Sequence, residues 1–304
     1  MKTTQTSWGA SWVALLAAAG FANVAAPGLG HGATPFLPNP AYLSARTQTD
    51  GVRHATLPVE APVDSRSAWV EGADLVSQPV VALTSQTVLG NGSRALAQIE
   101  GSMGVLRGRL STHHEKAFAT DGGFVDAVFS VGFEDFIEVT APGLAAGTPI
   151  TYVFSLDIEG TSGTTPRPAP PGGLSVGANV SLGAAFLSPT PRLSRIDWAL
   201  PQGNGVFSQT FDAVVGDLLR IRGTLFAGSQ SGTSNGNADA WADFMNTANF
   251  TLTPTRADAN TLGVSGHDYR VSSVPEPTSI SLMIVMGALY VVAAWRGRLP
   301  HLDS

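Results

Sequence analysis

Several groups of residues carry side chains whose type and spacing could do chemistry. Gly173-Leu174-Ser175-Val176-Gly177 fits the G-x-S-x-G pattern of hydrolase nucleophile elbows. That chemistry needs a strand, a sharp turn and a helix, so that the serine is strained and exposed. Here the pattern sits inside an alternating run over residues 174–186, which puts Ser175 on the polar face of a strand. No nucleophile is therefore expected. His113-His114-Glu115 offers two imidazoles and a carboxylate to a metal. Neighbouring residues of a strand point to opposite faces, so both rings reach one ion only from a loop, and the H-E-x-x-H spacing is missing. An exposed polar turn is the expectation, and His267-Asp268 is a similar pair. Glu134, Asp135 and Glu138 form an acidic cluster, as do Asp157 and Glu159. Carboxylates facing each other across a cleft hydrolyse glycosides. On a strand, Glu134 shares a face with Glu138 and Asp157 with Glu159, which reads as solvated strand surface. Asn235, Asn237 and Asp239 alternate in a Gly/Ser-rich stretch and could offer oxygens to a structural calcium, without the twelve-residue EF-hand pattern. Trp69, Trp198 and Trp241 either pack in the core or stand out to stack on sugars.

The elements that must position these residues are strands. Ile150, Tyr152, Phe154, Leu156 and Ile158 alternate with Thr151, Val153, Ser155 and Asp157, a period of two that puts the first set on one face. Leu174, Val176, Ala178, Val180, Leu182, Ala184 and Phe186 do the same, as do Leu219, Ile221 and Leu225, and Phe250 and Leu252. Further strands are expected at residues 124–129, 133–140 and 206–215. Residues 160–173 and 228–239 read as long exposed loops by their Gly, Pro, Ser and Asn content. Residues 27–90, with seven prolines, read as irregular, with strands only near residues 68–70 and 80–88. Eight or more strands, each with one apolar face, predict an all-β antiparallel β-sandwich ectodomain of jelly-roll-like form over residues 91–273.

Composition narrows the function. The 304 residues include 34 glycines and 20 prolines without a Gly-X-Y period, only 13% charged residues, and a net charge of -6. Lys2 and Lys116 are the only lysines, so the basic footprint of a nucleic-acid partner is missing. The absence of cysteine excludes disulfides, thiolate metal sites and thiol nucleophiles. No cofactor is expected.

The two ends read as targeting segments. Lys2, an apolar stretch over residues 12–26 and the small residues Val24-Ala25-Ala26 have the order of a secretory signal peptide, residues 1–26, cleaved after Ala25 or Ala26. Residues 277–295 hold 19 positions without a charge. At ~1.5 Å per residue they span about 28 Å, close to the ~30 Å hydrocarbon core. Trp295 falls where an interfacial anchor belongs, and Arg296 and Arg298 keep the tail on the cytoplasmic side. Before this transmembrane helix stand Val274, Pro275, Glu276 and Pro277. The two prolines fix φ, remove donors and bias their predecessors to extended backbone, which suits a processing site.

Pro-Glu-Pro, an apolar span and a basic cluster together resemble the PEP-CTERM sorting signal over residues 274–298. The resemblance implies an exosortase-like processing enzyme acting near Pro275, Glu276 and Pro277, and passage through the inner membrane before release to the cell surface. The chain departs from the pattern in its split Arg296-Gly297-Arg298 and in the six residues that follow. Residues 142–160 and 242–252, with Val264-Ser265-Gly266, are similar to strands of β-sandwich ectodomains found before such tails, a family that implies no catalytic residues. The expectation is therefore an exported surface or matrix protein with a structural or interaction role and no enzymatic activity, possible contact with exopolysaccharide included. A carbohydrate-binding β-sandwich module is the alternative, and a secreted glycoside or ester hydrolase stands third.

Overall fold

The computed structural model describes residues 40–53, 64–89, 92–115, 123–165, 173–185, 192–200, 202–231 and 237–270. The expected signal peptide, Val274 to Pro277, the span to Trp295 and its arginines lie outside them. Among the described residues, no helix is long and apolar enough to cross a membrane.

Among the described residues, twelve strands form two six-stranded sheets in which every paired neighbour runs antiparallel. In chain order they are β1 (Tyr42–Arg53), β2 (Asp64–Glu71), β3 (Val80–Val88), β4 (Arg94–Ser102), β5 (Val105–His114), β6 (Gly123–Glu138), β7 (Pro149–Thr165), β8 (Gly173–Ala185), β9 (Arg192–Ala199), β10 (Gly205–Val214), β11 (Leu218–Ser231) and β12 (Ala238–Pro254). One helical turn, α1 (Asp74–Ser77), carries the chain from β2 to β3 with Leu75 buried. The first sheet runs β2-β1-β6-β11-β8-β9 and the second β10-β7-β12-β5-β4-β3. From β5 to β12 the strands pass between the sheets in the winding of a jelly roll, four strands over four. The pairs β1–β2 and β3–β4 widen one edge of each sheet.

The alternation in the sequence is the alternation in space. Ile150, Tyr152, Phe154, Leu156 and Ile158 on β7 are all buried, as are Val176, Ala178, Val180, Leu182 and Ala184 on β8. They share one core with Phe129, Phe133 and Ile137 of β6, and Phe133 packs edge-on against Phe250, centroids 5.1 Å apart. Some inward positions must be glycine because a ring occupies the space of a Cβ. At Gly108 a Cβ would overlap the Phe129 ring, and at Gly223 that of Phe133.

Four expectations change, the first being the long loop expected over residues 228–239, where β11 runs on to Ser231 and β12 starts at Ala238. Residues 42–53, expected to be irregular, form strand β1 of the sandwich, while the strands expected near residues 68–70 and 80–88 are β2 and β3. Strand β1 hides from an apolar-periodicity reading because two of its core positions are threonines. Thr47 Oγ1 lies 2.6 Å from Ser85 Oγ and Thr49 Oγ1 2.9 Å from Thr87 Oγ1, so the hydroxyls satisfy each other where apolar side chains would otherwise stand. The stretches 124–129 and 133–140 join as a single strand, β6, across Ser130 and Gly132. Strand β7 runs on to Thr165, into residues expected to form a loop. Its glycines there are clearances: a Cβ on Gly160 would overlap Phe244, and one on Gly163 would overlap Trp241.

Beyond β12 the chain forms a strap over residues 255–270. It is pinned to β6 by the buried carboxylate of Asp135. Ser265 donates to that carboxylate through its hydroxyl and its amide, Phe136 through its amide (2.8 Å) and Tyr269 through its hydroxyl (3.1 Å). A Cβ on Gly263 would collide with the same carboxylate. Burial pushes Asp135 upward from the ordinary aspartate range, and the four donors oppose that shift.

Candidate functional site

The outward positions of the first sheet assemble a connected group of aromatic and charged side chains. Tyr42 on β1 stands opposite Glu134 on β6, and Glu134 stands opposite Arg222 on β11. Trp69 on β2 belongs to the next row, opposite Ser44, so it reaches Tyr42 diagonally. The two rings stack with centroids 4.3 Å apart and planes 18° from parallel. Trp69 is nevertheless 56% exposed, and its Nε1 donates to Glu71 Oε2 at 2.8 Å. The Tyr42 hydroxyl lies 3.4 Å from Glu134 Oε2 and accepts from Arg222 Nη2 at 3.1 Å. Arg220 Nη2 donates to Glu134 Oε2 at 2.7 Å. The group crosses four neighbouring strands, about 14 Å at ~4.8 Å per step.

This arrangement holds its parts still. Glu134 is buried although it faces outward, because two guanidiniums and the Tyr42 ring lie over it. Burial, followed by the nearby Glu134 charge, pushes the Tyr42 phenol upward, so it stays protonated and keeps its hydrogen. The row beside the cluster is floored with small or short side chains: Ser44, Gly132, Thr224 and Asn179 lie in register. One row further, Phe226 lies over Gly177, where a Cβ would overlap its ring. The face thus has a low polar floor with a raised aromatic stack at one edge and a second ring across it. Such a surface can lie against the flat face of a ring while donating and accepting hydrogen bonds at its sides.

A pair of carboxylates occupies the other end of the same face. Asp50 on β1 stands opposite Asp126 on β6. Burial, with the Asp50 charge second, pushes Asp126 up to about 7, while its hydrogen bond from Gln230 opposes the shift. One Asp126 oxygen, Oδ1, is buried without a hydrogen-bond partner.

The residues singled out in the sequence separate into distinct settings. Ser175 lies within β8 opposite Gly228, with its hydroxyl 3.5 Å from the Gly228 carbonyl, so the G-x-S-x-G pattern is a strand and not an elbow. His113 and His114 do point to opposite faces, but on β5 and not in a turn. His113 is held between two carboxylates, Nδ1 2.7 Å from Asp239 and Nε2 2.8 Å from Glu115. The Asp239 contact, aided by Glu115, raises the His113 pKa against a smaller effect of burial. Asp239, a calcium candidate, is therefore engaged by a histidine; Asn235 lies outside the described residues. No group of three or more His, Cys, Asp or Glu that could hold a metal occurs among the described residues. Glu134 and Asp135 fall on opposite sides of β6, one among arginines and one under the strap, while Glu138, Asp157 and Glu159 are exposed. His267 packs edge-on against Tyr269, and burial lowers its pKa. Trp198 is a core residue, 2% exposed, with Nε1 donating to the Gly203 carbonyl at 2.8 Å. Trp69 and Trp241, unlike Trp198, face solvent.

Tyr42, Arg220, Arg222, Asp50 and Asp126 escaped the sequence analysis. Tyr42 and Asp50 belong to β1, whose threonines conceal its period. The alternation of Tyr42, Ser44, Arg46, Gln48 and Asp50 was the available signal, as was that of Arg220, Arg222 and Thr224 on β11.

No family model matches the chain, and no curated protein matches it. Solved structures with some likeness include TmCBM61 in complex with β-1,4-galactotriose, at 12% identity over 58% of this chain and 88% of the other, with a TM-score of 0.21. The tandem CBM22-1-CBM22-2 domain of Xyn10C from Paenibacillus barcinonensis is similar at 11% identity over 71% and 79%, with a TM-score of 0.18. The CBM22-1-GH10 modules of Clostridium thermocellum xylanase 10B, complexed with xylohexaose, match at 16% identity over 60% of this chain and 28% of that one, with a TM-score of 0.16. Values this low assign neither a family nor a ligand to this chain, whose own residues must carry its function.

Proposed function

We propose that this is an exported β-sandwich protein that binds a polysaccharide across the outer face of its first sheet, at the Trp69–Tyr42 stack. The observation that carries this reading is the coupling of that exposed stack, through the Tyr42 hydroxyl, to Glu134, Arg220 and Arg222. A pyranose ring presents C–H bonds on its faces and hydroxyls around its edge. The exposed indole suits the faces, and the fixed guanidiniums and the floor hydroxyls suit the edge. Exposed tryptophan is costly to leave in water, and sugar stacking recovers part of that apolar area. The reading includes no hydrolytic step: Ser175 is a strand residue with its hydroxyl against the Gly228 carbonyl, and Glu134 is engaged by arginines.

Export and sorting belong to the same proposal. The signal peptide over residues 1–26 would direct the chain out of the cytosol. The Val274-Pro275-Glu276-Pro277 motif and the span ending at Trp295, Arg296 and Arg298 would hold it in the inner membrane until an exosortase-like enzyme acts. The site would then work at the cell surface or in the extracellular matrix, where exopolysaccharide is the available partner.

Affinity electrophoresis of the purified protein through gels containing soluble polysaccharides tests the binding. Wild type should be retarded by at least one of xylan, β-1,4-galactan or mixed-linkage β-glucan. Trp69→Ala should weaken binding at this face about tenfold or more, ~1.4 kcal/mol, and so reduce the retardation, with an unchanged melting temperature because the ring is mostly exposed. Equal retardation of wild type and Trp69→Ala would rule out this face as the site.

A further inference from the structure

We infer that the opposite face of the molecule carries a second polysaccharide site, centred on Trp241, so that one molecule ties together two polysaccharide chains. The inference rests on the reading of the first site and extends it. Trp241 lies on β12, inside the second sheet and flanked on both sides by paired strands, β5 and β7. It faces outward, 37% exposed, while its neighbours Ala240 and Ala242 are buried in the core. Its cross-strand partner on β7 is Gly163, and a Cβ there would overlap the indole. The ring is therefore laid down along the sheet over the glycine backbone. One π face is supported and the other is left to solvent.

The groups around this ring are polar and of both signs. Ser111 stands directly opposite on β5, and Arg109 and Asp243 fill the adjoining row. Arg109 Nε donates to Gln98 Oε1 at 2.8 Å, which orients its guanidinium beside the platform. On the other side the adjoining row holds His113, locked between Asp239 and Glu115. An anion would meet Asp243 and a cation would meet Arg109. A neutral, hydroxyl-rich chain can accept from one and donate to the other, so the charge balance favours a neutral polysaccharide over a charged ligand. No single extended chain reaches both sites. Trp69 and Trp241 stand on the outer faces of sheets that pack about 10 Å apart with the core between them. Two engaged faces therefore mean two chains, and an array of such bridges gains strength by multivalency.

The test measures stoichiometry and cross-linking with the soluble polysaccharide that retards the wild type. Calorimetry should give two sites per protein molecule. Light scattering should rise on mixing, pass through a maximum at a matched ratio and fall when either component is in excess. Trp241→Ala should halve the stoichiometry and abolish the scattering while keeping the Trp69 site. Trp69→Ala should do the same while keeping the Trp241 site. Arg109→Ala, a change at an exposed side chain, should weaken the second site several-fold with an unchanged melting temperature, which guards against misfolding at Trp241. One site per molecule, no scattering, and binding lost entirely with Trp69→Ala would overturn the second site and leave the first reading standing. Binding lost entirely with Trp241→Ala and unaffected by Trp69→Ala would overturn both the first reading and the bridge. No retention of wild type by any of the three polysaccharides would overturn both as well.

Discussion

Asp50 and Asp126 show how a strand pairing sets a proton equilibrium. Two carboxylates stand opposite each other on β1 and β6, and the more buried one, Asp126, is pushed up to about 7. An unfolded aspartate titrates near ~3.9. The folded state thus favours protonated Asp126. That contribution is fully present below the unfolded value and is lost as pH rises through about 7. His113, also raised, runs in the same direction, so the whole-protein pH profile does not isolate Asp126. The variant does. Asp126→Asn should gain stability over wild type, with a gain that grows from pH 4 to pH 8. Chemical denaturation at several pH values measures it, and a difference independent of pH would contradict the assignment. Trp69 illustrates the other use of an outward residue. Its ring contributes little to the core and is stacked on Tyr42 in a pose that leaves one face to solvent.

At the scale of elements, β1 shows what the sequence could and could not reveal. Strands β7 and β8 were legible because every inward residue is apolar. Strand β1 was not, because Thr47 and Thr49 look solvent-bound until Ser85 and Thr87 are placed against them by a pairing of sheets that no local pattern encodes. The glycines after Ile158 misled in the opposite sense. They read as loop, but Gly160 and Gly163 belong to β7, where each makes room for a ring of β12. The candidate site shared this fate. Trp69 and Trp241 were recognisable by residue type, while their separation from the core residue Trp198 required the sheet to be seen. The hydroxyl pairing makes a direct prediction. Thr47→Val leaves the buried Ser85 hydroxyl without its partner and should cost about 1–3 kcal/mol. Thr47→Val combined with Ser85→Ala should recover a large part of that loss in denaturant titrations. Additive losses would show that the two hydroxyls are not coupled.

At the scale of the whole molecule, the jelly roll presents two broad faces and one C-terminal strap. The strap is fastened through Asp135, Ser265 and Tyr269, so the chain leaves a well-anchored point before residue 271. The proposed sorting signal at Pro275, Glu276 and Pro277 is tested at the protein's termini. Mass spectrometry of the native mature protein should find new termini after Ala25 or Ala26 and near Pro275 to Pro277. Glu276→Ala should leave the full-length tail in the membrane fraction. Unchanged processing of that variant would argue against the sorting signal. With the tail removed, a two-faced binder would act as a tie within a polysaccharide matrix, and such a role needs no cofactor and no turnover.

The central claim, that a sugar chain lies on the first sheet beside Trp69, is tested most directly by a crystal structure of the protein with an oligosaccharide of whichever polysaccharide it retains. The account predicts a pyranose stacked on the free face of Trp69, with hydroxyls within hydrogen-bond distance of the Arg220 or Arg222 guanidinium. An oligosaccharide bound elsewhere, with the Trp69 face bare at saturating ligand, would contradict it.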